Sequence, residues 1–124
     1  MSDALLYAGS ILLIIWGLAH IIPTRAVVKG FEPTSTENKL IITMEWVSEG
    51  LTLCFLGLLT LFVTILEGPG NPVSLIVYRA CGGMLLVMAA WTSLTGARTS
   101  LFPIRICPIV KSIVAILLLV GSVV

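Results

Sequence analysis

Residues 40–66 read LIITMEWVSEGLTLCFLGLLTLFVTIL, an apolar run that contains two carboxylates, Glu45 and Glu49. The run is longer than the roughly 20 residues that an α-helix needs to cross a bilayer. A carboxylate within a membrane helix is costly and usually functional. Glu45 and Glu49 are four residues apart and therefore share one helical face. Thr52 and Thr60 continue that face, so we expect a polar stripe that points into a helix bundle.

The composition excludes a water-soluble domain. Of the 124 residues, 58% are hydrophobic and only 10% are charged, whereas a globular domain carries about a quarter charged residues. The net charge of +1 argues against a nucleic-acid partner, which would require a basic face. The lipid bilayer is therefore the expected environment, and residues 1–124 are expected to form a single transmembrane domain. Cys54 and Cys81 lie in apolar segments, where a thiol is expected to pack as a small hydrophobic group.

Four apolar stretches predict membrane-spanning helices at about residues 4–22, 35–66, 73–95 and 104–124. The predicted fold class is an all-α, four-helix transmembrane bundle. Before the second helix, Thr34-Ser35-Thr36-Glu37 matches a capping box with Thr34 as the N-cap. Pro108 is expected in or near the first turn of the fourth helix, where proline is tolerated.

The basic residues predict the orientation in the membrane. Six of the seven Lys and Arg residues fall on the side that carries the first and third connections, namely Arg25, Lys29, Lys39, Arg98, Arg105 and Lys111. Only Arg79 lies toward the opposite side. By the positive-inside rule, both connections are predicted to be cytoplasmic and both termini outside. The expected location is the cell membrane, with multiple passes.

His20, the only histidine, lies at the end of the first helix and is predicted to meet Glu45 and Glu49. Helical side chains lean toward the helix N-terminus, so the three groups converge if the first two helices are neighbours. Buried acids beside a histidine suit proton exchange or general acid–base catalysis, and all three are predicted catalytic residues. The predicted ligand-binding residues are Trp16, Trp46, Thr52, Met88, Trp91, Arg98 and Arg105.

No metal site is predicted, although His20, Glu45 and Glu49 are ligand types for iron, zinc or manganese. The pattern is not diagnostic, because no E-x-x-H pair occurs on a single helix. A polar pair at Glu49 and His20 could equally hold two helices together, since polar side chains contribute to helix association in lipid. Quinone and metal are the two cofactor classes that these residues allow.

The segments Gly17-Leu18-Ala19-His20-Ile21-Ile22-Pro23-Thr24 and Met44-Glu45-Trp46-Val47-Ser48-Glu49-Gly50-Leu51 resemble small bacterial four-helix membrane proteins, and the architecture is similar to the DoxX-like group. The resemblance implies the helical architecture and a bacterial inner-membrane location. That group includes proteins linked to quinone-coupled sulfur oxidation and others with assembly roles. No catalytic motif of theirs is matched here.

Three functions fit the sequence. In the first, an enclosed His/Glu site binds or transforms a small amphiphilic or quinone-like ligand, with proton exchange. In the second, the chain is a structural subunit or assembly factor of a membrane complex, and its polar residues only fix helix packing. In the third, it is a small proton-coupled transporter that works as a homodimer.

Overall fold

The computed structural model describes residues 2–124, which form α-helices and one 3₁₀ turn and contain no β-strand. The helices are α1 (Ser2–Ile21), α2 (Thr24–Lys29), α3 (Thr36–Leu66), α4 (Pro72–Leu94) and α5 (Phe102–Gly121), and the 3₁₀ turn is Gly96–Arg98. Four of these helices, namely α1, α3, α4 and α5, are long and apolar enough to cross a membrane. The predicted all-α, four-helix transmembrane bundle is therefore confirmed.

The four long helices run alternately up and down. α1 packs against α3 and α5, and α4 completes the bundle by packing against α5 and α3. Leu6, near the start of α1, lies against Gly121 at the end of α5, so these two helices are antiparallel. The α1–α3 and α4–α5 connections consequently emerge at the same end of the bundle.

The N-cap of α3 is Ser35, and the predicted capping box at Thr34 is wrong. Ser35 is extended (φ −67°, ψ 159°), and its Oγ accepts a hydrogen bond from the backbone N–H of Asn38 at 3.1 Å. Since the helix begins at Thr36, Glu37 is its second residue and not the third, which is the position that a capping box requires.

The fourth long helix, α5, begins at Phe102, with a proline in its first turn, and Pro108 lies inside the helix. Pro108 was expected in or near the first turn, and it lies just after that turn, inside the helix. Because proline has no N–H, the carbonyl of Ile104 loses its helical hydrogen bond. The early start also places Cys107 and Lys111 well within the helix.

The backbones of α1 and α3 approach each other closely at Gly17 and Gly50. A Cβ added to Gly17 would lie 2.7 Å from the backbone nitrogen of Cys54 and 2.8 Å from the carbonyl oxygen of Gly50. Small residues that allow such an approach are typical of helix interfaces in membranes. The approach brings the last turn of α1, which carries His20, against the part of α3 that carries Glu49.

Two groups of apolar side chains stabilise the bundle. The main core is rich in leucine and contains Leu6, Leu13, Leu53, Leu85 and Leu118, all fully buried. A smaller cluster covers the end that carries the connections and consists of Val27, Trp46 and Ile104, with Phe31 and Leu101 packed against it. The polar residues of the candidate site lie between these two groups.

Candidate functional site

The bundle contains an ion pair between Lys111 of α5 and Glu49 of α3. The side chain of Lys111 is 1% exposed and that of Glu49 is 28% exposed. Lys111 Nζ donates hydrogen bonds to Glu49 Oε1 and, at 2.9 Å, to Thr92 Oγ1 of α4. Such partners are needed because an unpaired ammonium away from water is strongly unfavourable. One charged group therefore connects α3, α4 and α5.

Cys107, one turn before Lys111, places its sulfur beside the same carboxylate and beside His20 of α1. Cys107 Sγ lies 3.5 Å from His20 Nε2 and 3.9 Å from Glu49 Oε1. Trp16 Nε1 donates a hydrogen bond to this sulfur at 3.4 Å. Side chains from all four long helices therefore meet. We call this group the polar cluster: Trp16, His20, Glu49, Thr92, Cys107 and Lys111.

The ring of His20 is held in one orientation. His20 Nδ1 lies 3.1 Å from the carbonyl oxygen of Trp16. Because a carbonyl can only accept, the hydrogen-bond network assigns the ring proton to Nδ1, and Nε2 presents a lone pair toward Cys107. The ring also stacks on Trp46, with centroids 4.6 Å apart and planes 24° apart.

Trp46 also supports the end of α1. Its Nε1 donates a hydrogen bond to the carbonyl oxygen of His20, which lies in the last turn of that helix, where carbonyls lack helical partners. Thr24 Oγ1 donates to the same oxygen at 3.4 Å. The stacked ring and the backbone of His20 are therefore both fixed by α3.

A cleft of about 540 Å³ opens beside the polar cluster, between α3 and α4. Glu45, Glu49, Thr52 and Thr92 contribute polar groups to its wall. The rest of the wall is largely apolar and includes Ile41, Ile42, Trp46, Met88, Trp91 and Ile104. A largely apolar cavity of about 300–1,000 Å³ with a few polar groups is typical of small-molecule sites.

Of the three predicted catalytic residues, the structure brings His20 and Glu49 into the polar cluster and leaves Glu45 outside it. His20 is 2% exposed. Glu45 lies one turn before Glu49 on the wall of the cleft and is exposed. Among residues 2–124, its carboxylate makes no hydrogen bond or ion pair. The predicted convergence is therefore seen for His20 and Glu49 and not for Glu45.

The predicted ligand-binding residues fall into three places. Trp46, Thr52, Met88 and Trp91 line the cleft. Trp16 is behind it, with its ring edge-on to His20 at 5.4 Å. Arg98, in the 3₁₀ turn, and Arg105, on the outer face of α5, are exposed and do not line the cleft.

Sequence reasoning missed Lys111 and Cys107. Lys111 was counted with the basic residues beside the membrane, but it is fully buried. Five basic residues therefore remain on that side as exposed or partly exposed charges: Arg25, Lys29, Lys39, Arg98 and Arg105. The available signal was the spacing of Cys107, Lys111, Ala115 and Leu118, which puts the lysine on the buried stripe of α5.

A metal ion in the polar cluster would compete with the ammonium of Lys111. His20, Glu49 and Cys107 each offer a ligand atom, and these atoms lie within 4.8 Å of one another. However, the ammonium of Lys111 already donates to the Glu49 carboxylate. A divalent cation at the same oxygen would lie against that ammonium, and the repulsion of two cations at this distance is large. The lysine therefore supplies the positive charge that a metal would bring.

Comparisons of this chain with protein-family models, with curated proteins and with solved structures found no match.

Proposed function

We propose that this chain is a membrane-embedded binding protein for a small amphiphilic molecule of the quinone type, which exchanges protons with Glu49 and Lys111. The supporting observation is the double contact of Glu49. Its carboxylate binds the buried Lys111 on one side and lines the cleft on the other. A ligand in the cleft would therefore meet one end of a charge pair that water cannot freely solvate.

The cleft matches the two chemical parts of such a ligand. An apolar ring or tail would pack against Trp46, Met88 and Trp91, since aromatic and apolar side chains supply most of the contact area in small-molecule sites. Thr92 lines the cleft and accepts a hydrogen bond from the buried Lys111, so a carbonyl oxygen at the inner end would reach the ammonium by taking the place of Thr92 Oγ1.

Proton exchange follows from the pairing. When a ligand with an anionic oxygen, such as a hydroquinone monoanion, lies in the cleft, the ammonium of Lys111 can give that oxygen a proton and become a neutral amine. A proton from outside can then pass by way of the Glu49 carboxylate to the amine, which becomes an ammonium again. Both partners therefore relay one proton without leaving a lasting buried charge.

The test uses purified protein in detergent and a short-chain ubiquinone as the probe, with quenching of tryptophan fluorescence as the signal. We expect saturable quenching, because Trp46 and Trp91 line the cleft. Thr52→Phe, which fills the cleft, should weaken binding at least tenfold. Leu51→Phe, at the neighbouring exposed position outside the cleft, is the matched control and should leave the affinity unchanged.

A second variant separates binding from folding. Glu49→Gln/Lys111→Met removes both charges together, so no unpaired charge remains to unfold the bundle, and we expect at least a tenfold loss of ubiquinone affinity. Unsaturable quenching in the unmodified protein, or equal affinities of the Thr52→Phe and Leu51→Phe proteins, would refute the proposed function.

A structural role is the second candidate, and one observation favours it. Among the residues described, every buried side-chain nitrogen and oxygen has a hydrogen-bond partner, so the polar cluster can serve helix packing alone. In that case the double variant would change stability, and ubiquinone would not bind the unmodified protein at all.

We also propose the orientation and membrane that the sequence favours: a bacterial inner membrane, with both connections in the cytoplasm. Five exposed or partly exposed basic residues at that end support this orientation. Reporter fusions at the α2 segment and at the C-terminus test it. A fluorescent protein that requires the cytoplasm should fluoresce from the connection, and alkaline phosphatase should be active at the C-terminus. The reverse pattern would overturn the proposed orientation.

A further inference from the structure

We propose that Cys107 is a nucleophilic thiol, activated by His20, that adds to a soft electrophile of the α,β-unsaturated carbonyl class entering from the cleft. This inference deepens the proposed function and rests on it, since a quinone belongs to that class of electrophile. It assigns a covalent step to a residue whose sequence context suggests only packing.

The sulfur of Cys107 has a base at hydrogen-bonding distance. His20 Nε2 lies 3.5 Å from Sγ, and the Nδ1 contact with the carbonyl of Trp16 keeps the Nε2 lone pair available. A thiol next to an oriented imidazole is the usual arrangement of an activated cysteine, because the thiolate is the reactive form. The carbonyl of Trp16 has the role of the third group that orients the base.

Burial disfavours a thiolate at this position, and three neighbouring groups would offset part of that cost. Trp16 Nε1 donates a hydrogen bond to Sγ, and the imidazolium of His20 would donate another. Lys111, four residues later on the same helix, adds a positive charge, while the opposing charge of Glu49 is paired with that lysine. The thiolate and imidazolium therefore form beside an ion pair that is neutral overall.

The other two cysteines lack this environment. Cys81 is as deeply buried as Cys107, at 4% and 2% exposure, but within residues 2–124 its sulfur has no hydrogen-bond partner. Cys54 is more exposed, and within the described residues the one hydrogen bond of its sulfur goes to the carbonyl oxygen of Ile14, at 3.7 Å. Exposure alone predicts that Cys54 reacts fastest, whereas the chemical environment of the sulfur predicts that Cys107 does.

The Glu49 carboxylate lies beside both the sulfur and the cleft. It lines the cleft and is 3.9 Å from Sγ, and it is the more exposed partner of the ion pair with Lys111. The sulfur itself does not line the cleft, so the proposal requires the Glu49 side chain to move aside when the electrophile enters.

The reaction is balanced within the site. The proton of the Cys107 thiol passes to His20 Nε2, and the sulfur electron pair forms a bond to the β-carbon of the electrophile. The carbon–carbon π electrons move toward the carbonyl as an enolate. The imidazolium then returns the proton to the α-carbon, so a thioether forms and neither an oxidant nor a reductant is required.

The experiment measures alkylation of each cysteine by N-ethylmaleimide in the intact protein, with site-resolved mass spectrometry over time. We expect Cys107 to react at least tenfold faster than both Cys54 and Cys81. His20→Gln should slow Cys107 at least tenfold while the other two rates stay constant, and these rates act as internal controls for an unchanged fold. Faster labelling of Cys81 in the His20→Gln protein would mean that this substitution loosens the fold. In that case Trp16→Phe, which removes a hydrogen bond to the sulfur, is the deciding variant, and we expect it to slow the labelling of Cys107 at least threefold.

Faster labelling of Cys54 than of Cys107, or a Cys107 rate that both substitutions leave unchanged, would overturn the inference. Ubiquinone quenching by the unmodified protein separates this result from the proposed function. Saturable quenching together with a slow Cys107 rate would overturn the thiol chemistry and leave reversible binding intact, whereas unsaturable quenching would refute the binding itself.

Discussion

Lys111 and Glu49 are unequal partners, because the ammonium is enclosed within the bundle whereas the carboxylate that it binds also faces a cleft. This asymmetry connects the interior of the protein to a space that a ligand can enter. Removal of the carboxylate would leave a charge that has no contact with solvent. Removal of the lysine would leave a charge that can still be partly solvated.

The ion pair makes the two single substitutions unequal in stability. Glu49→Gln should lower the free energy of unfolding by about 3–5 kcal/mol, because it leaves a buried charge unpaired. Lys111→Met should lower it less, by about 1–3 kcal/mol, since the remaining acceptor faces the cleft. The double variant should be more stable than Glu49→Gln alone. Unfolding in mixed detergent measures all four proteins, and purely additive effects would contradict the pairing.

The hydrogen bond from Trp46 to the carbonyl of His20 can be removed while the stacking is kept. Trp46→Phe retains an aromatic ring against the imidazole and loses the indole N–H. We expect loss of the hydrogen bond to lower the unfolding free energy by about 0.5–1.5 kcal/mol, and the smaller ring to lower it further because Trp46 is buried with Val27 and Ile104. The same unfolding assay tests it, and an unchanged midpoint would contradict a stabilising role of the indole N–H.

The close approach of α1 and α3 predicts opposite outcomes for two glycines. Gly17→Ala should destabilise the protein by about 1–3 kcal/mol, since its methyl group would overlap the backbone of α3. Gly83→Ala is the matched control: no atom lies within 4 Å of its added Cβ, and alanine favours a helix by up to about 1 kcal/mol. Thermal unfolding of both variants should therefore shift in opposite directions.

Neutral and charged polar contacts between helices should differ in strength. Ser10 Oγ donates to Thr60 Oγ1 at 2.8 Å, far from the polar cluster, and Ser10→Ala should lower the free energy of unfolding by only about 0.6 kcal/mol. Thr92→Val removes an acceptor of the Lys111 ammonium and should lower it by about 1.5–3 kcal/mol. Equal effects of the two substitutions would argue against a charged Lys111.

The fold could be predicted because it depends on patterns within single segments. Four apolar stretches of spanning length leave few arrangements, and the short connections make consecutive helices antiparallel. The helix ends were less predictable: Thr34, Ser35 and Thr36 are all chemically able to cap α3, and only the backbone conformation selects Ser35. The start of α5 depends on tertiary contacts of the preceding segment.

The candidate site was predictable only in part because it combines residues from distant segments. His20 and Glu49 stand out as polar groups in apolar runs, and the structure brings them together. Lys111 also stands in an apolar run, but its position after a basic connection suggested a charge at the membrane surface. Cys107 carries no signal of its own, since nothing in one sequence shows that a thiol will face an imidazole.

The buried lysine has a consequence for the biosynthesis of the protein. Because α5 leaves the ribosome after α1, α3 and α4, it brings Lys111 into hydrocarbon later than they enter, at a cost of about 2.5–3.5 kcal/mol for an isolated charge. By then α3 already holds Glu49 in the bilayer, so docking on the earlier helices supplies the counter-charge. A nascent chain that stops before α5 would instead expose an unmatched acid within the lipid and become a target for quality-control proteolysis.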